Sequence, residues 1–247
     1  MTLFFEESLV TSENFVSESL GLVYGLSMVF TFNLGLMVYL YLLEIFKSSS
    51  KKKFTSNFPV RIFNHFSNQE GFLTLIFYFC FSWYFHLIPS SYYFLNGPIE
   101  WFKVALLLLT QDFFQYIIHR LEHKLNLLNY NLYTLSHKKH HLNIYPTFDD
   151  SFSGSYLDTI IMILIPMHIS LNLIRGNCQT LVCFGSIYSS WLTLIHSEYS
   201  HPWDSFFQKI GFGTPGDHHI HHRFLRYNFG HLFMYWDKFF GTYKEPL

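Results

Sequence analysis

The residues best suited to chemistry in this chain are its histidines, fifteen in 247 positions. Eight of them form three tight groups: His119 and His123; His137, His140 and His141; His218, His221 and His222. The spacings read HxxxH, HxxHH and HxxHH. Residues three and four apart share one face of a helix, so each group is expected to aim its imidazoles at one point. Two copies of the same triplet are more than histidine frequency would place by chance. One metal cannot use so many donors, because catalytic zinc takes three protein ligands and structural zinc four. The pattern therefore predicts two metals per chain. Neutral imidazole suits Zn, Cu, Fe and Ni, but a histidine-rich dinuclear centre at a membrane suits O2 activation by iron better than redox-inert zinc.

Other candidates stand near these groups. His196 ends an apolar run and is expected to add a ninth ligand. His201, five residues on, and His219, inside the last triplet, are each placed either to ligate or to hydrogen-bond, and both roles stay open. Asp112, seven residues before His119, lies two turns up the same helix face, where a carboxylate orients an imidazole or meets solvent. His65 and His231 are expected at the surface or beside the ligands. His86 and His168, isolated in apolar runs, are expected as bundle-facing polar groups rather than ligands. HRLEH lacks the glutamate directly after its first histidine that a zinc protease uses as general base. A loop that merely carries metal needs no repeated helical register, so a non-enzymatic metal-binding membrane protein is the rival reading. Cys80, Cys178 and Cys183 show no CxxC spacing and are expected to be packing residues.

These side chains need a scaffold, and composition places it in a membrane. Half the residues are hydrophobic, 21% are aromatic and only 13% are charged, against about 25% charged in soluble proteins. A net charge of −1 leaves no basic face for nucleic acid. Ser19 to Leu43 carries no charged residue and is long enough to cross a bilayer with some tilt. Lys47 and Lys51 to Lys53 follow it, while its other flank is acidic, so its C-terminal end is expected in the cytoplasm and the N-terminus in the lumen. The acidic start is unlike a signal peptide, and the N-terminus is expected to be retained. Further apolar runs cover Phe72 to Pro89 and Trp101 to Ile118, the second interrupted by Lys103 and Asp112. Ile160 to Ile174 and Thr180 to Ile195 flank the turn Arg175-Gly176-Asn177 as a helical hairpin, full-span or shallow. The expected fold is all-α: an integral membrane helical bundle of about four to five membrane helices with a cytoplasmic histidine-cage di-metal site. It is read as one structural unit, with N-terminal membrane helices at 1–110 and a catalytic region at 111–247.

Taken together the motifs resemble the fatty acid hydroxylase and sterol desaturase superfamily, over roughly Gln111 to Pro246. QDFFQYIIHRLEH is similar to that family's Asp-containing helix running into HRxxH, and LYTLSHKKHH to its LYxxxHxxHH. HSEY at His196 resembles an HSGY-like element that supplies a ligand. TPGDHHIHHRFLRYNFGHLFMYWDKFFGTYKEP is similar to the closing HxxHH, Asn-Phe/Tyr-Gly and WDxxFGT segments. Two positions depart from the pattern: the spacer between His123 and Tyr133 is longer than usual, and Asp217 stands beside the ligands where many members carry histidine. The resemblance implies a helical membrane oxygenase of the endoplasmic reticulum with a cytoplasmic di-iron site. It further implies O2 as oxidant and electrons from an NAD(P)H reductase and cytochrome b5 chain. No fused cytochrome b5 domain and no GxGxxG stand in the sequence, so the donor is expected to be a separate protein. PTF at Pro146 and YNFG with GTYKEP resemble sterol C-5 desaturases. HSEY, PW at Pro202 and YWDKFFGT resemble C-4 methylsterol oxidases and cholesterol 25-hydroxylases. The expected reaction is hydroxylation or desaturation of a sterol, with sphingoid-base or fatty acyl hydroxylation as the alternative.

Overall fold

A computed structural model describes residues 12–47, 58–127 and 130–246. The N-terminal tip and Lys51 to Lys53, on which the orientation reading partly rests, lie outside the described residues. The uncharged first run forms helix α1, Ser12–Lys47. Among the described residues three stretches are long and apolar enough to cross a membrane: Val16–Phe46, Tyr156–Leu173 and Cys178–Ile195.

The other two apolar runs fold differently. After the short amphipathic α2, Phe58–Ser67, a π-turn at Gln69–Leu73 leads into α3, Thr74–Tyr84. The helix stops there: His86 adopts a φ of 51°, and Ile88 precedes Pro89, a position where helical backbone is disfavoured. Helix α4, Trp101–Glu122, is continuous, but Gln111, Asp112 and Gln115 are buried along it, so it is a core helix with polar business inside the bundle.

The long spacer before Tyr133 folds into a hairpin of two-residue strands, β1 (Asn126–Leu127) and β2 (Tyr130–Asn131). This is a local exception to an otherwise helical fold. Short α5, Leu132–Leu135, follows. The expected helical hairpin is present. Its first arm is α6 (Tyr156–Asp158), a π-stretch at Thr159–Leu164 and α7 (Ile165–Leu173); its second is α8, Cys178–Ile195. Asn177 starts α8 by accepting the Thr180 N–H at 2.9 Å, as an N-cap should. The chain closes with α9 (Asp204–Lys209), α10 (Pro215–Phe224) and α11 (Tyr235–Phe239).

Helix α8 is the hub, with Leu192 and Ile195 buried against Leu107 of α4 and Leu171 of α7. Without water to drive them together, membrane helices associate through close packing of small residues and a few hydrogen bonds. Gly25 of α1 and Gly185 of α8 meet these needs. A Cβ on Gly25 would lie 3.7 Å from Val182, and one on Gly185 3.3 Å from Val29. Asn33 of α1 adds the polar tie by donating to the Ser189 hydroxyl at 2.8 Å. Cys80, Cys178 and Cys183 are unbridged; Cys178 is buried and Cys183 half-buried, whereas Cys80, expected to pack, is exposed on α3.

Candidate metal centre

All nine histidines expected as ligands converge, but they do not converge motif by motif. His119, His123, His137, His141 and His221 form one group, and His140, His196, His218 and His222 another; within each group the donor atoms lie within 4.8 Å of one another. Each HxxHH triplet is thus divided between two sites. On a helix, neighbouring residues point about 100° apart, so in α10 His218 and His222 share a face while His221 faces the other group. The first triplet, His137, His140 and His141, is not on an α-helix at all: α5 ends before it, and only His140–Leu142 makes a 3-10 turn.

In six of the nine rings the proton's place follows from what Nδ1 touches. His119 Nδ1 donates to the Phe229 carbonyl at 2.8 Å, His140 to Ser153 at 2.9 Å and His196 to Leu192 at 2.6 Å. His221 donates to Tyr227 at 2.8 Å and His222 to Asn143 at 3.0 Å. His137 Nδ1 donates to the Asp158 carboxylate at 2.7 Å. A carbonyl only accepts, so the proton sits on Nδ1, and in a neutral ring Nε2 is then a bare lone pair. Yet these Nε2 atoms face each other: His119 and His137 at 2.9 Å, His196 and His140 at 3.2 Å. Two lone pairs at that distance repel unless a cation lies between them. Metal–imidazole bonds of about 2.1 Å place neighbouring ligand atoms about 3 Å apart, so the spacing suits coordination.

Electrostatics favours the same state. Burial first, then the neighbouring imidazoles, holds His137, His141 and His218 well below the ordinary histidine range. In His196 burial and then His140 act the same way. The rings are therefore neutral and able to bind metal without first losing a proton.

The remaining expectations meet varied outcomes. His201 lies outside both groups; its Nδ1 faces the Tyr39 hydroxyl at 2.9 Å and its ring stacks on Trp203. His219 also lies outside them and hydrogen-bonds the His196 backbone. Asp112 orients no imidazole: its carboxylate accepts the backbone N–H of Leu232 at 2.7 Å and of Phe233 at 3.0 Å, and the Trp236 indole at 3.0 Å. It fixes the segment that carries Phe229, the acceptor for His119. Asp217 caps α10, accepting from the Thr214 hydroxyl at 2.7 Å. His65 is not at the surface but fully buried, its ring among Phe66, Phe72 and Phe152. His231 lies beside the ligands, its ring 5.1 Å from His119 and 5.3 Å from His218.

Two carboxylates escaped the sequence reading. Glu122 and Asp158 cluster around His137, with Glu122 accepting from the Ser136 hydroxyl. Glu122 sits inside HRLEH, and Asp158 stands at the head of an apolar run where a charge needs a partner; those were the available signals.

The class defined by the fold and site is an apolar helical bundle with two histidine clusters able to hold metal, and sequence comparison gives the family. The fatty acid hydroxylase family model matches residues 104–242. The chain belongs to the fatty acid hydroxylase family, and it is an oxidoreductase. An alternative squalene epoxidase of Phaeodactylum tricornutum is 40% identical over 244 residues, covering 96% of this chain and 69% of that protein. The Delta(7)-sterol 5(6)-desaturase erg32 of Schizosaccharomyces pombe is 31% identical over 151 residues, 59% of this chain and 41% of that protein. A probable Delta(7)-sterol 5(6)-desaturase of Neurospora crassa is 30% identical over 156 residues, 61% of this chain and 42% of that protein. The chain thus spans about two fifths of the length of these desaturases. No solved structure matches it.

Proposed function

We propose that the protein is a di-iron membrane oxygenase acting on an isoprenoid lipid of sterol synthesis, with squalene epoxidation as the first reading. The observation that carries the metal is the facing of Nε2 lone pairs between His119 and His137 and between His196 and His140. The five-histidine group would hold one iron and the four-histidine group the other. When bound, iron supplies O2 reduction: one oxygen atom enters the lipid and the other leaves as water, with two electrons and two protons from a reduced donor.

The chain's own residues position and insulate. Asp158 and the backbone carbonyls keep Nε2 of His119, His137, His140, His196, His221 and His222 aimed inward, and ligand-orienting partners of this kind govern affinity. A cleft of about 30 Å³ lined by His137, His140, His196 and His231 is also lined by apolar Phe152, Ile163 and Leu192 and by polar Gln115, Ser151 and Thr159, so apolar surface and hydrogen-bonding groups meet beside the histidines.

Squalene comes first because the epoxidase match spans nearly the whole chain, whereas the desaturase matches span about three fifths of it. Sterol hydroxylation or desaturation is the second reading, supported by the desaturase relatives. A cytochrome b5-type donor, an endoplasmic reticulum membrane, a cytoplasmic centre, three crossings by α1 and the two arms of the hairpin in place of the four to five expected, and a catalytic region at 111–247 complete the proposal. Iron-loaded protein in vesicles, given reduced cytochrome b5 and labelled O2, should put one labelled atom into a squalene epoxide. Conversion of a sterol but not squalene would favour the second reading, and conversion of neither would overturn both.

A further inference from the structure

We propose that the apolar cavity beside the histidines seats the terminal part of an extended polyisoprenoid hydrocarbon end-on, one terminus toward the metal groups and the rest of the chain in the bilayer, with no hydroxyl read by the cavity walls. This rests on the substrate reading above and adds where and how the substrate lies. The cavity, about 130 Å³, runs between α1, α3, α7 and α8. Tyr93 and Cys178 line one end, and Phe152, Ile163 and Leu192 the other. The latter three also line the cleft beside the histidines, so these side chains form the wall shared by the two spaces, and the hydrocarbon's terminus reaches the metal groups past them. Along α8 the fourteen-residue step from Cys178 to Leu192 spans about 21 Å. Phe30 on the rim is exposed on the outer surface of α1, which gives a lipid a sideways way in.

The walls offer almost nothing to a hydroxyl group. The Tyr92 hydroxyl donates to the Ile174 carbonyl and that of Tyr188 to Gln115. Ser189 donates to the Gly185 carbonyl at 2.6 Å, and Cys178 faces the Gly21 carbonyl at 3.6 Å. A lipid hydroxyl here would forfeit its hydrogen bonds to water without replacement. The exception is Tyr93, whose buried hydroxyl has no partner, but it lies at the far end. A rigid sterol anchored there by its ring hydroxyl would turn its tail, not its rings, toward the metals. A flexible hydrocarbon fills the length and presents a terminal double bond.

The test measures binding of radiolabelled squalene to full-length, metal-loaded protein in nanodiscs, separately from turnover. Leu75→Trp on α3 and Val182→Phe on α8, both lining the cavity, should each weaken binding tenfold or more, with metal content and melting temperature showing that each variant is folded. Gly25→Ala, which has room, and Tyr93→Phe should bind squalene as wild type does, and squalane, the saturated analogue, should compete while a 3-hydroxysterol should not. Unaltered binding in both folded blocking variants would overturn the assignment. So would competition by the sterol that Tyr93→Phe abolishes, which would make Tyr93 a hydroxyl reader. Squalene bound in the cavity but never oxidised would count against the activity and support the cavity, whereas oxidation unaffected by both blocking variants would do the reverse.

Discussion

His137 shows how one carboxylate sets the state of a ligand. Its Nδ1 proton is held by Asp158, which leaves Nε2 free for metal. Asp158→Asn keeps the shape but puts a donor or a weaker acceptor opposite Nδ1, so metal affinity should fall 10- to 100-fold, the usual cost of losing a ligand's partner. Chelator titration of the purified variant measures this, and an unchanged affinity would remove Asp158 from the centre. The same residues fix a pH dependence. Burial lowers the folded-state values of His137, His141 and His218 beneath the ordinary 6.5, so the unfolded chain binds more protons just below that value. Stability from these rings is present above about pH 6.5 and is lost as pH falls beneath it. Bound metal sharpens the effect because it also competes with protons. Metal content and melting temperature followed from pH 7.5 down should decline together; a centre indifferent to that range would contradict the neutral-ring assignment.

The elements act as brackets for these atoms. Asp112 in α4 ties down the segment from His231 to Trp236, and Ala there would leave several buried donors without an acceptor, at about 1–3 kcal/mol for each group stranded. Asp112→Ala should therefore lower the melting temperature markedly and loosen the His119 site through Phe229. Thermal unfolding of the metal-free chain against wild type checks it. The sequence revealed much at this scale: the uncharged run became α1, and the turn at Gly176 separated the arms of the hairpin. It also put nine histidines into the right neighbourhood. What it hid was geometric. The 100° step between adjacent helical residues splits His221 from His222, and local spacing alone cannot tell which group each ring joins. The first triplet, His137 to His141, lies on a turn rather than a helix, because Ser136 ends α5. Asp158 meets His137 only after the chain has gone round a loop, a contact that neither motif nor periodicity encodes. Phe72 to Pro89 read as one long run, yet the backbone breaks before Pro89.

At the scale of the molecule, one end of α8 carries His196 and the other the turn at Gly176, roughly 27 Å apart along the helix. The account therefore predicts that a cysteine at Arg175 and one at Lys244 label from opposite sides of the membrane, with Lys244 cytoplasmic. Both labelling from one side would make the hairpin shallow and the orientation wrong. The bundle draws nine imidazoles together, eight of them buried, and the central claim proposed is that cations lie between them. Elemental analysis of active protein is its most direct test. Wild type should hold two metal ions per chain, and His196→Ala, from the four-histidine group, should retain about one. A single ion or none in active wild-type protein would contradict the account.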